Sequence, residues 1–176
     1  MFGSRSKGSV GEREIAKKLE AWWQPVEPGC RFVKTPLSGG WGGPDVRAGF
    51  NASGDLMTTA KRFPWAVEVK RREGWTFERF IDGKPSPVWG WWRQAQEAAL
   101  EMGKEPALFF RKNRGDWLLL LPWRRRRGEV IPPVQPVYVW QRLNLKAVVG
   151  ALLPALYELD AVLAAPAKRF AARTER

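Results

Sequence analysis

Histidine is absent from this 176-residue chain, and cysteine occurs once, at Cys30. Without histidine, the chain has no Ser-His or Cys-His nucleophile system and no His-ligated zinc site. A single cysteine forms no internal disulfide and no cysteine-cluster metal site, so we interpret Cys30 as a core residue of a protein from a reducing compartment. Any metal site must therefore use Asp, Glu and backbone oxygens, which favours Mg²⁺ or Mn²⁺.

Long hydrophobic runs are also missing. The most apolar stretch, from Leu143 to Ala165, is interrupted by Lys146, Pro154 and Glu158. We therefore expect no transmembrane helix and no membrane partner. The N-terminus lacks the apolar run of a signal peptide, so we expect a cytoplasmic protein.

Acidic residues are outnumbered, because 30 Lys and Arg against 18 Asp and Glu give a net charge of +12. This balance favours a polyanionic partner, with nucleic acid as the first candidate and an anionic membrane surface as the second. The 11 tryptophans supply core volume and surfaces on which bases can stack. The length and a hydrophobic content of 44% indicate one globular core with a small C-terminal extension.

A short segment that begins at Trp65 predicts the central strand. Trp65, Val67 and Val69 alternate with more polar positions, which is typical of a half-buried strand. The other face carries Glu68 and Lys70 where the strand leaves the core. A glutamate there can hold a hard cation, and a lysine can orient water or offset phosphate charge. A plain surface ion pair is the alternative, because Glu-x-Lys is common on strands.

Two further carboxylates could reach the same site. Glu12 lies on the inward side of a helix predicted from Val10 to Trp23, where it is either a third carboxylate of the site or half of a capping box with Ser9. Asp55 opens a short strand that we expect to pair with the central strand as a hairpin; alternatively it is a turn former. Glu14 is expected to face water.

The remaining pattern predicts an α/β fold with a mixed central β-sheet flanked by helices and a C-terminal β-α extension. Helices are expected at 88–102 and 144–165, with a short helical piece that ends at Ile81. Strands are expected at 30–35, 106–110, 117–121 and 136–143. The four arginines after Trp123 suit a solvated loop or a phosphate backbone. We divide the chain into a core at 1–122, a basic and proline-rich connector at 123–135, and an extension at 136–176, packed on the core or at a dimer interface.

Several motifs taken together resemble the PD-(D/E)XK nuclease superfamily. They are Lys7-Gly8, Gly11-Glu12-Arg13-Glu14, a Gly-rich loop, Gly54-Asp55-Leu56 and Glu68-Val69-Lys70. Glu68 follows Asp55 by 13 positions, the same gap as in that family. Over residues 5–122 the pattern is similar to archaeal-type Holliday junction resolvases and their phage relatives.

This resemblance implies a restriction-endonuclease-like fold and a homodimeric endonuclease that cuts four-way DNA junctions. It also implies a Mg²⁺ cofactor, for which Mn²⁺ can substitute, and no nucleotide cofactor. Asp55 and Glu68 would be metal ligands with the Val69 carbonyl, Glu12 would complete the metal site, and Lys70 would lie near the attacked phosphate. DNA contact is assigned to Lys7, Arg13, Lys34, Ser38, Arg71 and Arg72.

Departures from the family pattern leave alternatives open. Gly54 replaces the proline usual before the aspartate, and an extra stretch contains Pro44-Asp45. Asp45 is therefore a rival for the metal aspartate, although spacing and the strand start favour Asp55. The sequence also admits a nuclease that acts on nicks, flaps or duplex DNA, a basic DNA-binding module without a working site, and a membrane-surface or scaffold protein.

Overall fold

The computed structural model describes residues 4–35, 51–122 and 154–171. The strands in these ranges form an antiparallel sheet of order β1-β3-β2 and a four-stranded sheet of order β4-β5-β6-β7. The helices are α1 (Ser4–Trp23), α2 (Phe77–Ile81), α3 (Pro87–Met102), α4 (Leu159–Ala164) and α5 (Lys168–Ala171). The strands are β1 (Phe32–Lys34), β2 (Asn51–Ser53), β3 (Leu56–Thr58), β4 (Trp65–Arg71), β5 (Glu105–Arg111), β6 (Leu118–Pro122) and β7 (Pro154–Glu158).

The four-stranded sheet is mixed. β4 and β5 run parallel, in register from Trp65 opposite Glu105 to Arg71 opposite Arg111, whereas β6 and β7 are added antiparallel. A parallel pair requires a crossover connection, and α3 lies in the segment that joins these two strands. Gly103 ends α3 in the left-handed conformation that suits a residue without Cβ. The predicted α/β fold is confirmed, and it is compatible with a restriction-endonuclease-like arrangement.

Side-chain alternation divides the core between the two faces of this sheet. On one face, Val67, Val69 and Phe109 pack in a cluster with the apolar side of α1. On the other face, Leu108 and Phe110 pack with α2 and α3. The predicted central strand is therefore confirmed, and the sheet lies between two helical layers. None of the helices in the described ranges is long and apolar enough to cross a bilayer.

Helix α1 begins earlier than the sequence predicts. It starts at Ser4 rather than Val10, so Ser9 lies inside the helix. The capping-box interpretation of Glu12 is therefore wrong. Glu12 lies two turns after the helix start, and backbone N–H groups that far into a helix already have intrahelical partners.

Glu14 joins α1 to the ends of β5 and β6, so the prediction that it faces water is wrong. Its carboxylate accepts hydrogen bonds from Trp117 Nε1 at 2.8 Å and from Arg111 Nη2 at 2.7 Å. The Arg111 guanidinium also lies over the Trp117 ring, 4.5 Å from its centroid. The helix can approach so closely because Gly11 faces the Trp117 ring, and a Cβ there would be only 3.2 Å from Cη2.

The short strand after Asp55 does not form a hairpin with the central strand, so that prediction is also wrong. β3 pairs with β1 on one side and β2 on the other. Its link to β4 is an isolated parallel bridge between Gly54 and Val67. The segment between β3 and β4 is not a tight turn. It instead buries Ala60 and Phe63 in the core.

Residues 154–158 form an edge strand, although the sequence predicts a helix from 144 to 165. They pair with β6 from Pro154 opposite Pro122 to Glu158 opposite Leu118. The open edge of β6 supplies backbone partners that the helical spacing of leucines does not reveal. The strand predicted at 136–143 and the connector at 123–135 lie outside the described residues, so the proposed domain boundaries stay predictions.

The C-terminal helices close one side of the core. Phe170 packs edge-on against Trp22 and Trp65, with ring centroids 5.1 and 5.3 Å apart. Trp22 Nε1 donates a hydrogen bond of 2.8 Å to the Ala165 carbonyl. Because these contacts join the two ends of the described chain, we expect them to unfold together with the central sheet.

Replacing Phe170 with Ala should lower the free energy of unfolding by about 3–5 kcal/mol, since a buried aromatic side chain is lost and a cavity remains. Phe170 is 1% exposed, whereas Phe77 is 39% exposed. Phe77→Ala is therefore the matched control and should cost less than about 1 kcal/mol. Urea unfolding followed by tryptophan fluorescence and far-UV circular dichroism measures both variants. Equal effects would contradict the packing role of Phe170.

Candidate active site

The backbone at Gly54 and Asp55 crosses directly over the central strand. The Asp55 N–H donates to the Val67 carbonyl at 2.7 Å, and the Asp55 carbonyl accepts from the Thr35 N–H at 2.8 Å. Gly54 has φ of 75°, and a Cβ at this position would overlap the Val67 carbonyl oxygen. Only glycine fits this crossing, because the left-handed conformation and the close contact both exclude a side chain.

This geometry explains the departure from the family pattern before the aspartate. Proline holds φ at about −65°, so it could not adopt the backbone conformation of Gly54. In this chain it is therefore the glycine before Asp55 that allows the aspartate to lie against the central strand. Asp45, the rival aspartate, lies outside the described residues.

The Asp55 carboxylate is held beside Glu68 and Lys70. The Val69 N–H donates to Asp55 Oδ2 at 2.8 Å. Glu68 and Lys70 form an ion pair with each other, and their side chains are 13% and 22% exposed. The sequence-predicted Asp55, Glu68 and Lys70 thus come together at the carboxyl end of β4.

Burial and repulsion from Glu68 raise the pKa of Asp55 from its ordinary 3.8 to about 6. The Val69 N–H and the Lys70 ammonium act in the opposite direction, and Glu12 adds a smaller repulsion. Since repulsion between carboxylates is relieved by a cation, the pair is electrostatically suited to bind one.

Glu12 faces the site from α1 and is paired with a lysine of β1. Its Oε2 lies 3.0 Å from Lys34 Nζ, with both side chains largely buried. The same oxygen is buried, and its contact with the Lys34 ammonium lacks hydrogen-bond geometry. Three carboxylates and two ammonium groups therefore surround this end of β4, and Asp55 is the carboxylate without a lysine of its own.

The donor set fits a hard divalent cation, although it is not a finished coordination shell. Asp55 and Glu68 offer carboxylate oxygens next to the Val69 backbone, and oxygen ligands are what Mg²⁺ and Mn²⁺ prefer. Within the described ranges, no group of three or more Asp, Glu, Cys or His side chains is close enough together to hold a metal ion. Glu12 would join the set only after leaving Lys34.

The described residues among those assigned to DNA contact differ in exposure and in partners. Arg13 is exposed on α1, and Arg72 is exposed directly after β4. Arg71 is half-buried, and its Nε donates to Asn113 Oδ1 at 3.1 Å. Lys34 is engaged by Glu12, so any contact with DNA would compete with that ion pair. Lys7 lies in the first turns of α1, and Ser38 is outside the described residues.

Sequence reasoning missed the contact of Glu14 with Arg111 and Trp117. Glu14 and Trp117 are 103 positions apart, so no local pattern connects them. This contact fixes the rotation of α1 two residues after Glu12, and it therefore helps to decide where the Glu12 carboxylate points.

Comparison with known proteins agrees with this arrangement. Residues 3–147 match the family described as "Phage putative PDDEXK endonuclease". The chain is also similar to "Protein D14" of Escherichia phage T5, with 26% identity over 123 residues that cover 67% of this chain and 70% of that protein. No solved structure gives a significant match. The family match spans every carboxylate and lysine of the site just described, and the chain therefore belongs to the phage PDDEXK endonuclease family.

Proposed function

We propose that this chain is a Mg²⁺-dependent endonuclease that cuts four-way DNA junctions as a homodimer. The observation that carries the nuclease activity is the Asp55–Glu68 pair, held against Lys70 at the end of a buried strand. Membership of the endonuclease family supports the same reaction class. The junction as substrate rests on the resemblance of the motifs to junction resolvases.

The metal would be held by Asp55 and Glu68, with the Val69 carbonyl and Glu12 completing the site. The chemistry that Mg²⁺ supplies when bound is activation of water and stabilisation of charge on the leaving 3′ oxygen. Mn²⁺ would substitute, because it accepts the same oxygen ligands.

Lys70 would act on the phosphate once its partner glutamate is used elsewhere. In the structure Lys70 neutralises Glu68. When Glu68 serves as a ligand, the Lys70 ammonium becomes available to the attacked phosphate, where it orients the nucleophile and offsets negative charge. Lys34 would be released from Glu12 in the same way and could then contact DNA.

The junction specificity would come from symmetry and charge. Resolution of a four-way junction requires two cuts, and a two-fold dimer presents two equivalent sites to a nearly two-fold substrate. The net charge of +12 supplies attraction to the phosphate backbone, so binding should weaken steeply with added salt.

Asp55→Asn should lower Mg²⁺-dependent cleavage about a thousandfold, because loss of metal stabilisation is worth several kcal/mol in the transition state. The variant should still bind DNA in EDTA, since the basic residues remain. Single-turnover cleavage and gel-shift binding measure the two effects. Asp160→Asn, whose side chain is 87% exposed on α4, is the matched control and should cleave normally. A fully active Asp55→Asn would refute the site, and Asp45→Asn would then be tested.

The same substitution should stabilise the metal-free protein at alkaline pH. The pKa of Asp55 is raised in the folded state, so protonation favours folding, and stability falls as pH rises from about 4 through 6. Above that range, ionised Asp55 costs about 2–3 kcal/mol. Asp55→Asn, which cannot ionise and still accepts from the Val69 N–H, should be more stable by that amount at pH 8 and not at pH 4. Urea unfolding in EDTA tests this. A wild-type protein as stable as the variant at pH 8 would contradict it.

Cleavage of a labelled four-way junction beside a matched linear duplex, with Mg²⁺ or EDTA, tests the substrate. Symmetrical Mg²⁺-dependent cuts near the branch point are expected. Equal cutting of both substrates would support nuclease activity but contradict junction specificity. Tight junction binding without cutting would instead favour a DNA-binding module.

A further inference from the structure

The turn between β5 and β6, residues 112–116, lies next to the candidate active site. β4 and β5 end side by side, with Arg71 opposite Arg111. Lys70 therefore precedes the strand end by one residue, and the turn begins one residue after Arg111. The turn and the site share the carboxyl end of the parallel pair.

Hydrogen bonds hold the turn against the residues that follow Lys70. The Asn113 N–H donates to Glu73 Oε1 at 2.7 Å, and Arg71 Nε donates to Asn113 Oδ1 at 3.1 Å. The Arg72 N–H also donates to the Arg111 carbonyl at 3.1 Å. The position of the turn relative to the site is therefore fixed by contacts of both backbone and side chains.

The cationic side chains in and beside the turn differ in whether an acidic side chain pairs with them. Arg111 is neutralised by Glu14 at 2.7 Å. Lys112 Nζ lies over the Trp75 ring, 5.4 Å from its centroid, and a cation over a ring keeps its full charge. Exposed Arg114 forms no ion pair with any residue in the described ranges.

Two acidic side chains offset part of this charge. Glu73 is exposed and bonded to the turn, and Asp116 is exposed at its end. With Arg71 and Arg72 included, half-buried Lys112 and exposed Arg114 still leave the surface positive. Its cations surround the end of the strand that carries Lys70.

The backbone conformation of Arg114 gives independent support. Arg114 has φ of 64°, and it is the residue other than glycine with positive φ in the described part of the chain. Asparagine or glycine would adopt this conformation more easily. A long cationic side chain kept at an unfavourable position on an exposed turn is an outlier of the kind that clusters at binding sites.

We propose that Lys112 and Arg114, together with Arg71 and Arg72, bind the phosphate backbone of DNA on the side of the active site next to β5. The proposal deepens the proposed function and rests on it for the identity of the substrate. The turn would hold the strand that flanks the cleaved phosphate, whereas Lys70 would act on the cleaved phosphate itself. Contact with phosphates carries no sequence information, which suits an enzyme selected by DNA shape.

The double variant Lys112→Gln/Arg114→Asn tests the proposal, because asparagine tolerates the left-handed conformation and the turn should stay folded. In EDTA, its affinity for a four-way junction and for duplex DNA should fall about tenfold or more at ~0.1 M salt. The slope of log K against log salt should become shallower by about 2, since two phosphate contacts are lost. With Mg²⁺, KM should rise while kcat stays unchanged.

Lys61→Gln/Lys168→Gln is the matched control. Both lysines are exposed and lie near the Trp65 end of β4, which is ~20 Å from the turn at about 3.3 Å per residue. The control removes the same charge and should change affinity less than about threefold. The charge-conserving variant Lys112→Arg/Arg114→Lys should bind like the wild type.

Equal weakening by the turn variant and the control would overturn the proposal, because it would show an effect of net charge alone. Unchanged binding by the turn variant would also overturn it. The EDTA measurement does not depend on cleavage. A protein that binds DNA through the turn but cuts nothing would support this inference and reject the proposed nuclease.

Discussion

The hydrogen bond between the Asp55 N–H and the Val67 carbonyl, at 2.7 Å, is the contact on which the candidate site depends. It joins the small antiparallel sheet to the central strand, and it exists because Gly54 leaves no Cβ in the way. Two residues further along the strand, the Val69 N–H holds the Asp55 side chain. Backbone and side chain of one residue are thus tied to one strand, so moving Asp55 as a whole away from β4 would break both bonds.

The charges around this strand end explain why the site should attract a cation rather than simply tolerate its carboxylates. Lys34 pairs with Glu12 and Lys70 pairs with Glu68, whereas Asp55 accepts from the Val69 N–H and shares the charge of Lys70 with Glu68. Burial, followed by repulsion from Glu68, raises the pKa of Asp55. The repulsion between the two carboxylates lowers the stability of the fold. Apolar burial in the two hydrophobic clusters on the faces of the sheet offsets this loss. A site that functions by binding a cation is expected to be destabilising while the cation is absent.

Elements with a clear local period could be predicted from the sequence. The alternation of β4, the helical spacing of α3 and the two apolar strands β5 and β6 were all visible in the sequence. The alternation of β4 also placed Glu68 and Lys70 on one face of the strand. The nearness of Asp55 to Glu68 was predicted through a hairpin that does not exist. An isolated bridge made by Gly54 in a left-handed conformation leaves no period in the sequence. The aspartate was indicated by the spacing of the family pattern and by its place at a strand start.

The features that sequence reasoning missed depend on partners distant in the chain. The helical spacing of Leu156 and Leu159 competes with strand alternation, and the free edge of β6 decides in favour of β7. Glu14 was assigned to water because it lies on the side of the helix away from the apolar stripe. Arg111 at the end of β5 and Trp117 just before β6 nevertheless bring their donors to it. These contacts fix α1 beside the strand ends. The motif therefore supplies the chemical groups of the site, while long-range packing determines whether the glutamate of α1 can join the carboxylates of the strand.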